Sequence, residues 1–372
     1  MQQFDVLIQG AGPAGACAAL NLAPHHRVLL LDRQVQPQRR IGESLPPASR
    51  RLLGDMGLWE DFLLQGHTPC HGNRSVWGGT AAEQDFLRDL DGHGWHLDRA
   101  RFERWLRQHA VQRGAVLLAP AQVEAAIGVA DGWQLALQGH HGPCHVHARM
   151  VIDAGGRAAT LARKLGASRL QQDRLVCGWV HGHDEHAPAD GLSRIEACED
   201  GWWYSAALPH RQRVLAFHTD ADLPAARLMR TPGWLATTAA GLPELGALLC
   251  SSGFVANTGP ALTAAHSALT MPAAGRGWFA AGDAALSFDP LSSQGLFNAL
   301  YTGLAAAEAC DRSLAGDLTA CQGYAAEVAR IMQAYQQHLA YWYSAEQRWA
   351  GSPFWQRRHR LAALQHELTA PA

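Results

Sequence analysis

Three glycines near the amino terminus have the spacing of a dinucleotide-binding turn. They fit the pattern G-x-G-x-x-G within the stretch Gly10, Ala11, Gly12, Pro13, Ala14 and Gly15. The first glycine permits a tight turn, the second lets the backbone approach a pyrophosphate, and the third lets helix and strand pack closely. Asp32 follows at the distance expected for a carboxylate that binds a ribose diol. The pattern predicts a dinucleotide site, with the pyrophosphate at a helix N-terminus.

A second stretch with chemical potential lies far along the chain, at residues 280–300. A predicted strand at 277–281 delivers Gly282 and Asp283 at its carboxyl end, where open α/β sheets bind ligands. The carboxylate can accept hydrogen bonds from a sugar-alcohol hydroxyl. The loop 289–295 then opens a helix predicted over 293–315, whose N-terminus can direct N–H donors at a carbonyl group of a bound ring.

The elements needed to position these residues are evident from the hydrophobic pattern. A buried strand (Phe4–Gln9), a helix (Pro13–Leu22) and a second buried strand (Arg27–Leu31) surround the glycine turn. An amphipathic helix is predicted over Asp98–Arg113, with Asp98 as its N-cap. The alternation of 115–152 predicts strands, the last a short one at Met150–Ile152. The loop 153–157 after it would face the ligand.

The predicted fold class is α/β: a Rossmann-like domain with an inserted antiparallel β-sheet domain and C-terminal helices. Residues 1–75, 95–170 and 275–320 would form the discontinuous nucleotide-binding domain. Residues 76–94 and 171–274 would form the substrate domain, with one helix near 232–249. Residues 321–372 would form an aromatic-rich helical segment, with one long helix predicted over 321–349.

Composition excludes several function classes. The 372 residues carry a net charge of −2, which does not favour a nucleic-acid partner. No apolar run of the sequence is long enough for a membrane span, and the start of the chain leads us to expect no secretory signal. The eight cysteines lack metal-ligand spacing, so we expect buried thiols, no metal and a cytoplasmic location.

Seven motifs, in order along nearly the whole chain, resemble flavoprotein monooxygenases of the para-hydroxybenzoate hydroxylase fold, especially the tryptophan-halogenase-related branch. They are GAGPAG (10–15), Asp32-Arg33, GESLPP (42–47), HLDRARFERWL (96–106), DAGGR (153–157), GWWYSAALP (201–209) and GDAALSFDPLSSQG (282–295).

The resemblance implies FAD as the cofactor and oxygen transfer to an electron-rich ring through a flavin C4a-hydroperoxide. It implies that Asp32 contacts the ADP half, Arg99 the phosphates, Asp283 the ribityl chain and the 289–295 loop the isoalloxazine. The full predicted cofactor-binding set is Gly10, Gly12, Pro13, Ala14, Gly15, Asp32, Arg33, Arg40, Ser44, Arg99, Gly282, Asp283, Pro290, Ser293, Gln294 and Gly295.

Three departures from the halogenases favour hydroxylation. Where halogenases of this branch carry a lysine, the sequence has Trp77, and Lys164 is the only lysine. The halogenase W-x-W-x-I-P motif is only echoed at 202–209, and the loop 289–295 differs from the halide-binding pattern. The predicted catalytic residues are Trp77, Glu43 and Trp203. For the two tryptophans core packing is the alternative, and for Glu43 the alternative is a helix cap.

The loop 289–295, GESLPP and PFWQRR resemble a narrower group, flavoproteins that act on a Trp side chain of a partner enzyme during tryptophylquinone formation. A precursor of such an enzyme is therefore the favoured partner. The alternatives are a small-molecule indole or phenol hydroxylase, a flavin-binding maturation factor without free-substrate turnover, a halogenase, and a geranylgeranyl-type reductase. Because Gly155-Gly156 replaces the aspartate-glycine pair of related hydroxylases, the electron donor stays open between NADH, NADPH and a separate reductase.

Overall fold

The computed structural model of the chain describes residues 1–86, 89–139, 142–186 and 190–369. The predicted ranges 76–94, 95–170, 171–274 and 321–372 include a few residues that lie outside the described ones, namely 87–88, 140–141, 187–189 and 370–372.

The helices are α1 (Pro13–Leu22), α2 (Ser49–Asp55), α3 (Trp59–Leu63), α4 (Arg99–Gln112), α5 (Thr160–Lys164), α6 (Ala225–Leu228), α7 (Trp234–Ala240), α8 (Pro243–Ser252), α9 (Gly295–Leu314), α10 (Ala320–Ala345) and α11 (Pro353–Thr369). Short 3₁₀ turns lie at Pro209–Arg211, Gly282–Ala284 and Pro290–Ser292.

The strands are β1 (Gln2–Gln9), β2 (Val28–Leu31), β3 (Ser44–Leu45), β4 (Thr68–Cys70), β5 (Gly72–Trp77), β6 (Thr80–Asp85), β7 (Gly94–His96), β8 (Val116–Leu118), β9 (Ala121–Val129), β10 (Gly132–Gly139), β11 (Gly142–Asp153), β12 (Ser168–Gln171), β13 (Leu175–Asp184), β14 (Leu192–Cys198), β15 (Gly201–Leu208), β16 (Gln212–Asp220), β17 (Phe254–Ala256), β18 (Ala261–Ala264), β19 (Ala268–Met271), β20 (Ala274–Gly275), β21 (Trp278–Ala280) and β22 (Leu286–Ser287).

A parallel sheet forms the nucleotide-binding half of the molecule. Its strands run in the order β21, β11, β1, β2 and β8, all parallel to their neighbours. Both faces of this sheet are covered, and Val6, Leu7 and Ile8 of β1 are fully buried, as expected for a central parallel strand. The strands β9 and β10 extend β11 as an antiparallel meander.

Helix α1 lies unusually close to α9, and small residues make this possible. A Cβ atom at Gly303 of α9 would lie 2.4 Å from the carbonyl oxygen of Ala14 in α1. The close approach brings the glycine turn and the start of α9 into one region. The two stretches predicted to hold one ligand are therefore neighbours in space, although they are far apart in sequence.

A second sheet has the strand order β17, β13, β16, β15, β14, β5 and β6. In the sequence, these strands lie between strands of the first sheet. Its pairs are antiparallel except for β14 with β5. Helices α6, α7 and α8 cover one face, and α10 and α11 cover part of the other. The predicted α/β fold with an inserted, mostly antiparallel sheet and C-terminal helices is confirmed.

Some predicted elements differ from the observed ones. The short strand predicted at Met150–Ile152 is the end of the longer β11, which begins at Gly142. The single helix predicted near 232–249 is divided into α7 and α8, because Gly241 ends α7 and Pro243 starts α8. The long helix predicted over 321–349 ends at Ala345. Within the described ranges, no helix is long and apolar enough to cross a membrane.

Candidate active site

The carboxyl ends of three parallel strands meet beside the glycine turn. The N–H of Ala154 donates to the carbonyl of Gln9 over 2.8 Å, and the N–H of Ala281 donates to the carbonyl of Asp153 over 2.8 Å. This edge of the sheet is where α/β proteins bind ligands. The backbone of Gly10 passes so close to Ala154 that a Cβ atom would lie 2.3 Å from its carbonyl oxygen. Gly10 also has φ +100°, a conformation that favours glycine.

The other two glycines of the turn are required for different reasons. A Cβ atom at Gly15 would lie 1.8 Å from the carbonyl oxygen of Gly10, so no side chain fits there. A Cβ atom at Gly12 would meet only the guanidinium of Arg40, at 3.6 Å. Gly12 is also the N-cap of α1, and no side chain caps it. The N-terminus of α1 thus presents open backbone beside a cation, which suits an anionic phosphate.

Two arginines from separate elements meet on one buried carboxylate near this turn. Glu103 Oε1 accepts from Arg99 Nη2 at 2.6 Å and from Arg40 Nη2 at 2.5 Å. Burial raises the pKa of Glu103, but the two guanidinium groups outweigh burial and hold the pKa below its usual value. Arg99 also donates to the carbonyl of Gly42, and its buried Nε has no partner. With two arginines on one carboxylate, the cluster retains a net positive charge for a diphosphate.

Asp32, directly after β2, is hydrogen-bonded to the glycine turn. Its Oδ2 accepts from the N–H of Ala11 at 2.8 Å, and its Oδ1 accepts from the N–H of Gln34 at 2.8 Å. Arg107 pairs with Asp32 Oδ2 at 2.9 Å and donates to the carbonyl of Ala11 at 2.8 Å. Arg107 was absent from the sequence-based candidates. Its position four residues after Glu103 and eight after Arg99, on the predicted amphipathic helix, was the available signal.

Two further predicted cofactor residues lie at the margin of this cluster. Arg33 is exposed directly after Asp32, and Ser44 is half-buried in β3, where it pairs with His96.

Gly282 and Asp283 reach the glycine turn from β21. A Cβ atom at Gly282 would lie 2.7 Å from the Cβ of Ala14, so the two predicted halves of the site are in contact. The N–H of Gly282 donates to Thr302 Oγ1 of α9 at 2.8 Å. Asp283 is half-buried and lies 3.3 Å from Arg157 Nε, the arginine of the DAGGR loop. Its carboxylate is therefore fixed and still accessible.

The loop before α9 forms a compact turn. Asp289 Oδ1 accepts from the N–H of Leu291 at 2.9 Å, and Ser293 adopts a left-handed conformation with φ +52°. Pro290 is exposed, whereas Ser293, Gln294 and Gly295 are half-buried. Helix α9 begins at Gly295, and no side chain caps its N-terminus. A helix of this length with an open N-terminus can donate to a carbonyl or anionic group.

One face of the second sheet lies towards these loops. On it, side chains from neighbouring strands form two rows across the sheet, which we name the closed row and the open row. The closed row consists of Ala197, Trp202, His218 and Cys177, which are register partners across β14, β15, β16 and β13. All four are buried, and Trp77 packs in the same cluster beneath Tyr343 and Trp355 of the C-terminal helices. The Nε1 of Trp77 donates to the carbonyl of Trp342 at 2.7 Å. The C-terminal helices therefore cover Trp77.

The neighbouring open row lies two residues along each strand. It consists of Ser75, Ile195, Tyr204, Ala216 and Trp179, again register partners. All but Ala216 are half-buried. Ile41 of the GESLPP region and Leu291 of the loop before α9 pack against the same cluster. The open row is thus an apolar surface bordered by both predicted cofactor loops.

Glu43 lies next to this open row. It is 1% exposed, and its Oε2 accepts from the N–H of Gly42 at 2.7 Å. Burial raises the pKa of Glu43. Burial also raises the pKa of Tyr204, and the nearby Glu43 carboxylate raises it further. The Tyr204 hydroxyl and the Glu43 carboxyl interact with each other, so they form one buried polar pair at the border of the open row.

Trp203 lies on the other face of the sheet. It packs on Phe217 and Trp234, with ring centroids 4.6 and 5.8 Å away, among the helices α6 to α8. The structure therefore places Trp202 and Tyr204 on one face, with Glu43 beside Tyr204, and it places Trp203 on the opposite face. The period of two along β15 could have indicated this separation.

These observations fit FAD. The glycine turn leaves open space at Gly12 beside the Arg40 guanidinium, and Arg40 and Arg99 meet on Glu103. The Asp283 carboxylate and the open N-terminus of α9 belong to the second predicted half of the site. Comparison with known proteins supports the same assignment. Residues 3–198 match the family model described as "FAD binding domain". The chain belongs to this family of FAD-binding proteins.

Full-length relatives extend the assignment beyond the matched domain. The flavoprotein is 34% identical over 379 aligned residues to the protein named "Putative FAD-dependent oxidoreductase LodB" of Marinomonas mediterranea, covering 98% of this chain and all of the relative. We conclude that this protein, by its sequence and its fold, is an FAD-dependent oxidoreductase.

Two solved structures share the fold at lower identity. The myxobacterial chondrochloren halogenase CndH aligns with a TM-score of 0.84 and 23% identity, covering 99% of this flavoprotein and 89% of CndH. The peptidyl tryptophan dihydroxylase QhpG, described as essential for tryptophylquinone cofactor biogenesis, aligns with a TM-score of 0.75 and 24% identity, covering 96% and 78% of the two chains. These matches extend the likeness of fold through the inserted sheet and the C-terminal helices.

Proposed function

We propose that the protein is an FAD-dependent monooxygenase that hydroxylates an electron-rich aromatic ring, and that this ring is a Trp side chain of a partner enzyme precursor. FAD, when bound and reduced, supplies the activation of molecular oxygen, which is the difficult chemical step. The protein has to position the ring and exclude water. We place the reaction in the cytoplasm, in keeping with cysteines that lack disulfide or metal-ligand spacing.

The observation that carries the choice of hydroxylation over halogenation is the position of the only lysine. The halogenase resemblance implies a lysine near the strand that contains Trp77. Lys164 lies instead at the end of α5, where its Nζ donates to the carbonyl of Val123 at 3.2 Å and to that of Glu124. These contacts are on the meander β9, away from the second sheet. No lysine amine is therefore available beside the open row.

The open row suits a flat ring that carries one polar N–H or O–H group. Trp179 and Ile195 provide apolar surface, and Tyr204 and Glu43 provide the polar atoms. An indole N–H can donate to the carboxyl of Glu43, which lies beside the Tyr204 hydroxyl. Such a contact would fix the orientation of the ring against the open row.

The choice of a protein-bound Trp over a small molecule is supported by the relatives. The description of QhpG, whose structure aligns with 96% of this chain, specifies peptidyl tryptophan as what that protein hydroxylates. The competing candidate is a small-molecule indole or phenol hydroxylase, which the same apolar row would also accept.

A substrate panel distinguishes the two candidates. Purified protein, loaded with FAD and chemically reduced, is mixed with oxygen and with free tryptophan, indole, phenol or a folded tryptophylquinone-enzyme precursor. We expect the hydroxylated product only with the precursor, measured by peptide mass spectrometry. Turnover of free indole or phenol at the same rate would favour the small-molecule hydroxylase. Flavin binding and partner binding without any hydroxylated product would favour a maturation factor that lacks turnover.

Removing the Tyr204 hydroxyl tests the assignment of the open row. Tyr204→Phe keeps the ring and removes one polar contact, so we expect kcat/KM for the substrate to fall about five- to tenfold, the usual range for one neutral hydrogen bond. We expect FAD affinity to stay unchanged, because Tyr204 lies beyond the phosphate cluster. Tyr341→Phe, at a tyrosine that is 63% exposed on α10, is the matched control. If both variants behave like the parent protein, the hydroxyl does not contact the substrate.

A further inference from the structure

The C-terminal helix α10 contacts the turn that precedes α9 through two tyrosine hydroxyls. The Tyr343 hydroxyl donates to Asp289 Oδ2 at 2.7 Å, and the N–H of Asp289 donates to the Tyr335 hydroxyl at 2.7 Å. The two tyrosines are about two helical turns apart. They bind the same residue at its side chain and at its backbone, so the start of the turn is attached to α10 at two points.

Asp289 passes this constraint on to the rest of the turn. Its second carboxylate oxygen accepts from the N–H of Leu291 at 2.9 Å, and its carbonyl accepts from Ser292 Oγ at 2.9 Å. These bonds shape the 3₁₀ turn Pro290–Ser292. Ser293 then reverses the chain, and α9 begins at Gly295. The direction in which the open N-terminus of α9 points is therefore fixed by where Asp289 is held.

The tyrosines are themselves fixed by the second sheet and the core. Trp202 Nε1 of the closed row donates to the Tyr343 hydroxyl at 3.2 Å, and the Tyr335 hydroxyl lies 2.6 Å from Ser267 Oγ. The Asp289 carboxyl is fully buried. Burial, together with the negative charge of Asp173, raises its pKa to about 7. A buried carboxyl in such surroundings depends on the few donors that reach it.

We propose that Tyr343 and Tyr335 are positioning residues for the flavin: by holding Asp289, they set the N-terminus of α9 at the distance and angle that the bound isoalloxazine requires. The C-terminal helices are then part of the cofactor site as well as a cover for the core. This proposal rests on the predicted contact between the start of α9 and the flavin ring, and it does not depend on which substrate ring is hydroxylated.

The test compares Tyr343→Phe with Tyr341→Phe on the same helix. Three quantities are measured on purified protein: the Kd for FAD, the visible absorption and circular dichroism of the bound flavin, and the unfolding midpoint of the FAD-free protein. We expect the Tyr343→Phe substitution to weaken FAD binding about tenfold, because the buried Asp289 carboxyl loses a donor, and to shift the flavin spectrum. The Tyr341→Phe variant should match the parent protein in all three.

Two further variants test the same contacts if Tyr343→Phe folds poorly. Tyr335→Phe removes the acceptor of the Asp289 N–H together with the contact to Ser267 Oγ, leaves the Asp289 carboxyl bound to Tyr343, and should shift the flavin spectrum in the same sense. Asp289→Asn keeps the shape of the side chain and should reproduce the spectral shift of Tyr343→Phe. The proposal is overturned if these variants leave the flavin affinity and spectrum at parental values, or if they lower only the unfolding midpoint.

Discussion

We expect the Gly15→Ala variant to purify almost without flavin. The new methyl group would lie 1.8 Å from the carbonyl oxygen of Gly10. That oxygen cannot retreat, because the N–H of Gly10 is bound to the carbonyl of Leu31 at 2.8 Å and its backbone lies against Ala154. Helix α1 must therefore move away from the turn, and its N-terminus then loses its place beside the pyrophosphate. A loss of FAD affinity of about a hundredfold or more is expected, equivalent to about 2.7 kcal/mol.

Gly54→Ala is the matched control for this variant. Gly54 lies inside α2, and a Cβ atom there would meet nothing within 4 Å. It should bind FAD like the parent protein and should be slightly more stable, because alanine favours a helix over glycine by up to about 1 kcal/mol. Titration of FAD against both purified variants measures the difference. Equal affinity in the two would show that the glycine turn does not hold the cofactor.

Asp220→Asn should be among the most destabilising single substitutions in the protein. Asp220 is 1% exposed at the end of β16, and its two oxygens accept from Arg358 of α11, each at 2.6 Å. Without the carboxylate, the buried guanidinium of Arg358 loses its principal counter-ion. Removing one partner of a buried pair typically costs about 3–5 kcal/mol. We expect a decrease of this size in the free energy of unfolding, measured by chemical denaturation.

The neighbouring Asp222 provides an internal comparison. It pairs with the same helix through Arg357 at 2.7 Å, but its side chain is 37% exposed. Exposed ion pairs contribute about 0–1 kcal/mol, so Asp222→Asn should change the free energy of unfolding by no more than that. If both substitutions have the same small effect, α11 is not anchored to the second sheet through Asp220, and the cover over Trp77 must be held by its apolar contacts alone.

The residues that could be predicted from sequence are those whose role is local. The glycine turn, its strands and the N-cap Asp98 depend on neighbours within a few residues, and the structure has the predicted turn, the helix α1 and the Asp98 cap, which accepts from the N–H of Arg101 at 3.0 Å. The FAD prediction, which required two distant motifs to be combined, is confirmed by the family match. The predicted binding roles of single residues, such as Asp283 and Arg40, stay predictions.

The contacts that could not be predicted join residues far apart in the sequence. Tyr343 and Asp289 are separated by 54 positions, and Arg107 and Ala11 by 96, and nothing in the local pattern of either member specifies the other. The choice between Trp202 and Trp203 depends on which face of the second sheet looks towards the cofactor loops. That face is decided by tertiary packing, because both residues are buried and apolar and hydropathy alone does not separate them.

The most direct test of the proposed reaction is the mass of the product formed under oxygen-18 gas in the presence of excess bromide. The FAD-loaded, reduced protein is mixed with the precursor of a tryptophylquinone enzyme, and the modified peptide is analysed by mass spectrometry. Our account predicts that the Trp side chain gains labelled oxygen and no bromine, since Lys164 is bound to β9 and no lysine lies beside the open row. A brominated product without labelled oxygen would contradict it.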